Sequence, residues 1–262
     1  MPKVTLPPLH QSQRIVRDAP ARFKVLACGR RWGKTRLGAA LCIEEAGRRG
    51  RAWWVAPSYK VAAVGWRLVR GLALQLSGTV IRDGDMLATL PNGGTVQVRS
   101  ADNPDSLRGE GLDFVVVDEC AYVAEEAWQE ALRPALSDRL GRAMFISTPA
   151  GRNWFWRHYQ RGLQDGEWQS WRFPTADNPY IEPGEIEAAR GDLPEMIFRQ
   201  EYLAEFLESE GAVFRNIAAN LTAPDTTPAE HVGHHLVMGV DWAKQADYTA
   251  LSVVCRDCRT EV

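Results

Sequence analysis

The sequence has no apolar run approaching the roughly 20 residues that a membrane-spanning helix requires, and its first residues, Met1-Pro2-Lys3-Val4, lack the charged-then-apolar pattern of an export signal. Nothing therefore points to a membrane, and the cytoplasm is the expected compartment. The five cysteines are odd in number and scattered, so they do not outline a disulfide framework. Cys255 and Cys258 form one CxxC, but no second ligand pair follows it, and the two read as reduced thiols at a strand end rather than as zinc ligands. The five histidines show no metal-ligand spacing, and His234-His235 reads as loop. Internal repeats and low-complexity tracts are also missing. Net charge is slight, −2 from 31 basic and 33 acidic residues, so no global field advertises nucleic-acid binding, although arginines cluster between Arg22 and Arg51.

What is present is the composition of an ordinary folded chain, 45% apolar and 24% charged. At 262 residues it is long enough to bury one substantial core and a smaller appendage. Phe23 to Cys28 predicts a buried strand, Lys34 to Arg49 a helix stopped at Gly50, Ala52 to Ala56 a strand halted by Pro57, and Tyr59 to Leu76 a helix. Between Thr79 and Ser100, polar alternation with turns at Asp83-Gly84-Asp85 and Asn92-Gly93-Gly94 predicts antiparallel hairpins that decorate the sheet. Asp113 to Val117 and Ala143 to Ser147 predict buried strands flanking a helix over 124–139. Strands alternating with helices imply an α/β fold with a mainly parallel sheet covered on both faces.

From Trp168 onward the pattern weakens, with helical stretches at 185–190 and 194–206. Residues 207–233 lack clear periodicity and read as a linker, after a core domain spanning 1–206. A new alternating pattern begins in 234–262, with strands at Leu236 to Asp241 and Tyr248 to Cys255, the first hairpin of a second domain.

Phosphate binding needs inward backbone amides, a helix N-terminus and a lysine reaching the outer phosphates. Gly33-Lys34-Thr35 stands at a strand-to-helix turn and supplies these parts. Lys34 suits the β- and γ-phosphates, the Thr35 hydroxyl suits Mg²⁺, and Gly33 lets the backbone pass close. The pattern GxxxxGK[ST] is imperfect, because Cys28 occupies its first glycine and Gly29 follows one place later. A lone Gly-Lys-Thr equally describes a surface turn opening a helix.

The second motif decides between these readings. After a run of apolar residues, Asp118-Glu119 places one carboxylate to hold Mg²⁺ and another to polarise an attacking water. One strand-helix unit intervenes between the two motifs, and with a glutamate as water activator this layout marks the RecA-like branch of P-loop ATPases. Ser147-Thr148-Pro149 closes a further buried strand, where a hydroxyl can sense the γ-phosphate; Thr148 is the residue assigned to that contact.

With these residues in place, the chain resembles the large subunit of tailed-bacteriophage terminases, the motor that packages DNA into a procapsid. Four stretches carry the likeness: Gly29-Arg30-Arg31-Trp32-Gly33-Lys34-Thr35; Ser106-Leu107-Arg108-Gly109-Glu110-Gly111 leading into Phe114 to Glu119; Ser147-Thr148-Pro149 with Gly151-Arg152-Asn153; and Phe198 to Phe206. The resemblance covers roughly residues 10–255. It implies ATP and Mg²⁺ as cofactors, double-stranded DNA as substrate, a small terminase subunit and a portal protein as partners, and a homo-oligomeric ring that is monomeric when isolated. By the same resemblance Gln13, with Gln11 as the neighbouring choice, reads the adenine edge. Arg30 and Arg108 are the two arginine-finger candidates, the second acting on a neighbouring subunit's nucleotide. Arg31 and Trp32 belong to the phosphate loop.

Asp241 matches the first metal-binding aspartate of an RNase-H-like nuclease domain, for Mg²⁺ or Mn²⁺, and Asp247-Tyr248-Thr249-Ala250 matches the turn into the next strand. Two-metal cleavage needs several carboxylates converging on ions about 4 Å apart. Residues 242–262 cannot build that site, so no nuclease activity is expected from this chain. Two alternatives remain open. A helicase would need a second RecA-like domain of about 150 residues, and a non-hydrolysing prophage remnant would keep the fold without turnover. The aromatics Trp154, Phe155, Trp156 and Tyr159 read as core rather than as a DNA-stacking surface, and Arg48, Arg49 and Arg51 as a charged helix end.

Overall fold

Apolar runs without alternation need cover on both faces, and the three strongest in this sequence lie side by side at the centre of one sheet. The computed structural model describes residues 5–207, 231–241, 250–258 and 260–261. The chain divides into two compact units, Met1–Ser209 and Glu210–Val262. In the first, eight strands form one sheet: β1 (Phe23–Cys28), β2 (Arg51–Ala56), β3 (Val80–Arg82), β4 (Leu87–Thr89), β5 (Thr95–Ser100), β6 (Phe114–Asp118), β7 (Arg142–Ser147) and β8 (Trp168–Phe173). Their order is β3-β4-β5-β2-β6-β7-β1-β8. All neighbours pair in parallel except β3 with β4 and β4 with β5.

Helices α1 (Gln11–Asp18), α2 (Lys34–Gly47) and α3 (Tyr59–Ala73) precede the insertion, while α4 (Arg133–Ala135), α5 (Trp154–Arg161), α6 (Pro183–Asp192) and α7 (Glu195–Glu201) follow it. Because side chains alternate along a strand, adjacent residues feed two separate cores. Leu26, Trp54, Val116 and Ile146 pack with Leu37 of α2 and Val69 of α3. On the other face, Val25, Trp53, Val115 and Phe145 pack with Trp128, Leu132, Trp154 and Phe155. Trp154 and Phe155 are thus core residues, as expected, with Trp156 and Tyr159 only half-buried.

Three expectations need correction. The insertion does more than decorate: its last strand, β5, pairs in parallel with β2 across Arg51↔Thr95 to Ala56↔Ser100, and only β3 and β4 are antiparallel. Strand β8 had no expectation at all, yet it runs in parallel beside β1 from Phe23↔Trp168 to Cys28↔Phe173. As the sheet's edge it is mostly half-buried after Trp168 and carries Gln169, Ser170 and Arg172, which breaks the apolar run of a central strand. The helix expected over 124–139 is a π-helical segment at Ala127–Leu132 that passes into the single turn of α4. Pro134 has no N–H to donate, so a regular α-helical ladder cannot continue through it. The stretch expected as helix at 194–206 is helical only as α7, ending at Glu201.

In the second unit, β9 (Leu236–Asp241) and β10 (Ala250–Cys255) form an antiparallel hairpin with Leu236 opposite Cys255 and Asp241 opposite Ala250, and β11 (Thr260–Glu261) pairs with β10. The expected turn residues Asp247, Tyr248 and Thr249, and residues 208–230 of the linker expected at 207–233, lie outside the described residues. Among the described residues no helix is long and apolar enough to cross a membrane.

The second core hinges on Trp128, whose ring meets Phe23 at 5.9 Å and Phe145 at 4.7 Å edge-on, with Trp168 stacked on Phe145 at 5.6 Å. Truncating Trp128 to alanine should cost about 3–5 kcal/mol, read as a lowered urea midpoint of the first unit with an unchanged slope. An unchanged midpoint would mean that the surrounding rings collapse onto the gap without loss.

Candidate active site

At the carboxyl end of β1 the chain turns through residues 29–33 into α2. Cys28 is the last residue of β1 and fully buried, and burial pushes its thiol far above the usual range, leaving an inert core residue. The glycine that the turn needs is Gly29. A Cβ there would lie 2.5 Å from Thr175 Oγ1 and 2.6 Å from the Tyr202 carbonyl, so no other residue fits. The displaced glycine in the motif therefore reflects where the backbone is crowded. Gly33 has φ 103°, and a Cβ on it would meet Gln13 Nε2 at 2.6 Å. Arg31 adopts φ 63° between them.

Residues 29–33 belong to no helix or strand, so their backbone groups need other partners. Four successive carbonyls receive side-chain donors from distant segments. Thr175 Oγ1 donates to Arg30 O at 2.7 Å, Asn178 Nδ2 to Arg31 O at 2.6 Å, and Gln13 Nε2 to Gly33 O at 3.0 Å. His10 Nε2 lies 3.0 Å from Trp32 O. The Gly29 amide donates to Phe173 O and the Arg30 amide to Glu201 O. Trp32 is fully buried, stacked on Phe173 at 4.9 Å and met edge-on by His10 at 5.1 Å. With its carbonyls so held, the loop leads into the opening amides of α2, which have no intrahelical partner. Amides at a helix N-terminus form an anion site.

Lys34, only 7% exposed, and half-buried Thr35 open α2. Asp118 closes β6 at 3% exposure, and Glu119 follows in a left-handed conformation at φ 46°. The Glu119 amide donates to Asp118 Oδ1 at 3.0 Å. Burial and the adjoining Glu119 charge push the Asp118 carboxyl up to about 7, against the opposing pull of the Lys34 ammonium and the Glu119 amide. Lys34, Asp118 and Glu119 thus share one electrostatic environment, with carboxylates suited to a hard cation and a lysine suited to phosphate.

The strand order explains this convergence. In the sheet β7 separates β1 from β6, whereas β2, the strand that intervenes in sequence, lies outside β6. Ser147 at the end of β7 donates to Glu119 Oε2 at 3.3 Å and accepts from the Ala121 amide at 3.4 Å. Ser147 is therefore a hydroxyl on the glutamate, and Thr148 follows it as a buried residue. Asn153 Nδ2 ties the next loop to Ala121 O at 2.8 Å.

The other sequence candidates occupy distinct places. Both ends of the Gln13 carboxamide are engaged, Nε2 on Gly33 O and Oε1 on the His10 amide, so Gln13 braces the loop; Gln11 is exposed. Arg30 pairs with Glu201 Oε2 at 2.5 Å and lies within the field of Glu119. Arg108 sits apart on the turn after β5, half-exposed and paired with Asp105 at 3.1 Å and Glu130 at 2.7 Å. Asp241 ends β9 in the second unit. Thr175, Asn178, Glu201 and His10 had escaped sequence reading. Glu201 lies in the stretch 198–206 that carried the family likeness, but nothing in that stretch signals an arginine partner in the phosphate loop.

Residues 25–220 match the family described as terminase large subunit, T4likevirus-type, N-terminal. The terminase large subunit of Escherichia phage T5 is 35% identical over 207 residues, covering 75% of this chain and 47% of that protein. That of Thermus phage G20c is 28% identical over 304 residues, covering 95% and 60%. The chain thus spans about half the length of these two relatives. Among solved structures, the large terminase ATPase domain of Thermus phage P74-26 superposes with a TM-score of 0.67 at 28% identity, over 76% of this chain and 94% of that domain.

Raising the Asp118 pKa from its unfolded value of 3.8 to about 7 makes the folded state bind the proton more tightly, so its cost to stability appears as pH rises through that window. Asp118→Asn should leave the stability of the metal-free, nucleotide-free protein nearly unchanged below pH ~4 and increase it above pH ~7, by on the order of a few kcal/mol. Equal pH profiles of wild type and variant in thermal melts would show that the carboxylate carries no such penalty.

Proposed function

This chain belongs to the terminase large-subunit family, and on that premise we propose that it binds ATP with Mg²⁺ between residues 29–35 and Asp118-Glu119 and hydrolyses it to translocate double-stranded viral DNA into a procapsid. The observation that carries the reading is the meeting of a phosphate-loop strand and an Asp-Glu strand on either side of a hydroxyl-bearing strand, with Ser147 on Glu119. Lys34 reaches the β- and γ-phosphates, and Thr35 and Asp118 hold Mg²⁺. Glu119 polarises the attacking water, and Ser147-Thr148 reports the state of the γ-phosphate to it. Gln13 is left with one N–H and one lone pair to offer a purine edge.

Residues 1–206 are read as the motor, 207–233 as a linker and 234–262 as the start of an RNase-H-like domain. Asp241 is the carboxylate that the family likeness assigns to the metal site of that domain, whereas two-metal cleavage needs several, so no nuclease activity is proposed for this chain. Metal-dependent nicking with Mn²⁺ that Asp241→Ala abolishes would overturn that expectation. Family membership supports a homo-oligomeric ring on a portal, a small terminase subunit as partner, and the host cytoplasm as the place of action. Backbone contacts to DNA in such a motor are sequence-independent and salt-sensitive.

Arg30 and Arg108 remain the two candidates for stabilising the transferred phosphoryl group, a contribution of roughly 10³ to 10⁵ in rate. To play that part Arg30 would have to leave Glu201, and Arg108 would have to leave Asp105 and Glu130. Phosphate release with DNA present should fall by about 10²-fold or more in Glu119→Gln while nucleotide binding persists; no release above that control would leave a nucleotide-binding protein without turnover. Specific activity that climbs steeply with protein concentration, and collapses in Arg108→Ala, is the expected signature of a finger supplied in trans. A flat specific activity assigns the role to Arg30.

A further inference from the structure

Away from the phosphate loop, the second unit brings together four side chains that sequence spacing had left apart. His231 and His234 lie immediately before β9, Cys255 ends β10, and Cys258 lies in the turn towards β11. Antiparallel pairing sets Leu236 opposite Cys255, so the residues entering the hairpin and those leaving it meet at one end. One ligand atom from each of His231, His234, Cys255 and Cys258 lies within 4.8 Å of all the others.

The contacts inside this group are those of a ligand shell. His234 Nδ1 lies 3.4 Å from Cys255 Sγ and 3.2 Å from Cys258 Sγ, and the Cys258 amide donates to Cys255 Sγ at 3.4 Å. In a tetrahedral site with metal–sulfur bonds of about 2.3 Å and metal–nitrogen bonds of about 2.0 Å, neighbouring ligand atoms stand roughly 3.3–3.8 Å apart. His231 supplies an independent observation. It is only 6% exposed, and neither Nδ1 nor Nε2 has a hydrogen-bond partner. A buried imidazole with both nitrogens unpaired is costly, and a bond to a metal removes that cost at one nitrogen. Around the group, His235 and Asp257 tie the same two segments together: the His235 amide donates to Asp257 Oδ2 at 2.7 Å and the Arg256 amide to His235 O at 2.8 Å.

We infer that His231, His234, Cys255 and Cys258 form a zinc site. Two thiolates and two imidazoles select a borderline-soft ion over the hard Mg²⁺ or Mn²⁺ of phosphate chemistry. Four protein ligands complete a tetrahedron with no open position, which makes the site structural rather than catalytic. Its effect is to staple the open end of the β9–β10 hairpin, five residues along the strand from Asp241. The CxxC does have a second ligand pair, His231 and His234, but it lies upstream rather than downstream.

The test uses the whole chain, expressed with zinc in the medium and purified without chelator. Elemental analysis should find about one zinc per chain, and X-ray absorption should show two sulfur and two nitrogen neighbours at the distances of a closed site. The double variant Cys255→Ser with Cys258→Ser should lose the zinc, and His231→Ala should weaken its retention against a chelator. Because these variants can unfold the hairpin, the unaltered chain is also stripped and titrated with Co²⁺, which should develop the visible bands of tetrahedral, thiolate-ligated cobalt. Wild-type chain that holds no stoichiometric zinc and gives no such spectrum would overturn the inference. So would zinc fully retained by the double cysteine variant, or a Cys255–Cys258 disulfide in freshly purified protein.

Discussion

The site depends on the outward restraint of four successive carbonyls, those of Arg30, Arg31, Trp32 and Gly33. A loop of this kind works only if its amides face the ligand, and a peptide plane that turns its N–H inward turns its C=O out. Each carbonyl is then an acceptor that needs a donor. The donors come from Thr175, Asn178, His10 and Gln13, on segments before β1 and after β8. Fully buried Trp32 anchors the middle of the loop between Phe173 and His10. The cradle is therefore organised before any ligand arrives, which lowers the ordering cost of binding.

The same restraint links the loop to the rest of the first unit. Thr175 and Asn178 follow β8, and the Thr175 amide bonds to Tyr202 O at 2.7 Å, just beyond α7. Arg30 reaches Glu201 in that segment, both through its backbone amide and through its guanidinium. On the opposite side, Glu119 is joined to Ser147, and the loop after β7 is joined to Ala121 by Asn153. A change of charge at the nucleotide position would act on both connections. The proposed motor thus has physical routes from the phosphate position to α7 and to α5.

The second unit is organised differently, as a small antiparallel hairpin that bears exposed Val237 and Met238 on β9. Its third strand, β11, adds only Thr260 and Glu261 to the pair, and a two-stranded hairpin is marginal on its own. A metal at its open end would compensate for the small core, in the manner of small folds that rely on staples.

Much of this could be read from the chain. Unbroken apolar runs announced β1, β6 and β7, because strands covered on both faces have no polar alternation to hide them. Lys34 and Thr35 were legible as candidates because they open a helix shortly after a buried strand, and Asp118 and Glu119 because they close one. Strand β8 was not legible, since an edge strand carries a diluted apolar pattern, and β5 was read as a hairpin arm because its turns resemble those of β3 and β4. Pro134 interrupts the helix that 124–139 otherwise predicts, because it has no N–H to donate.

By itself, then, the sequence determined the two-faced parallel sheet and the chemical parts of the site, because these depend on local periodicity and residue type. Tertiary structure alone decided which partners complete them: Thr175 and Asn178 on the loop, Glu201 on Arg30, Ser147 on Glu119, and His231 and His234 beside the CxxC. Each of these pairings joins residues far apart in the chain through strand order and register, and spacing along a sequence carries no record of which strands become neighbours.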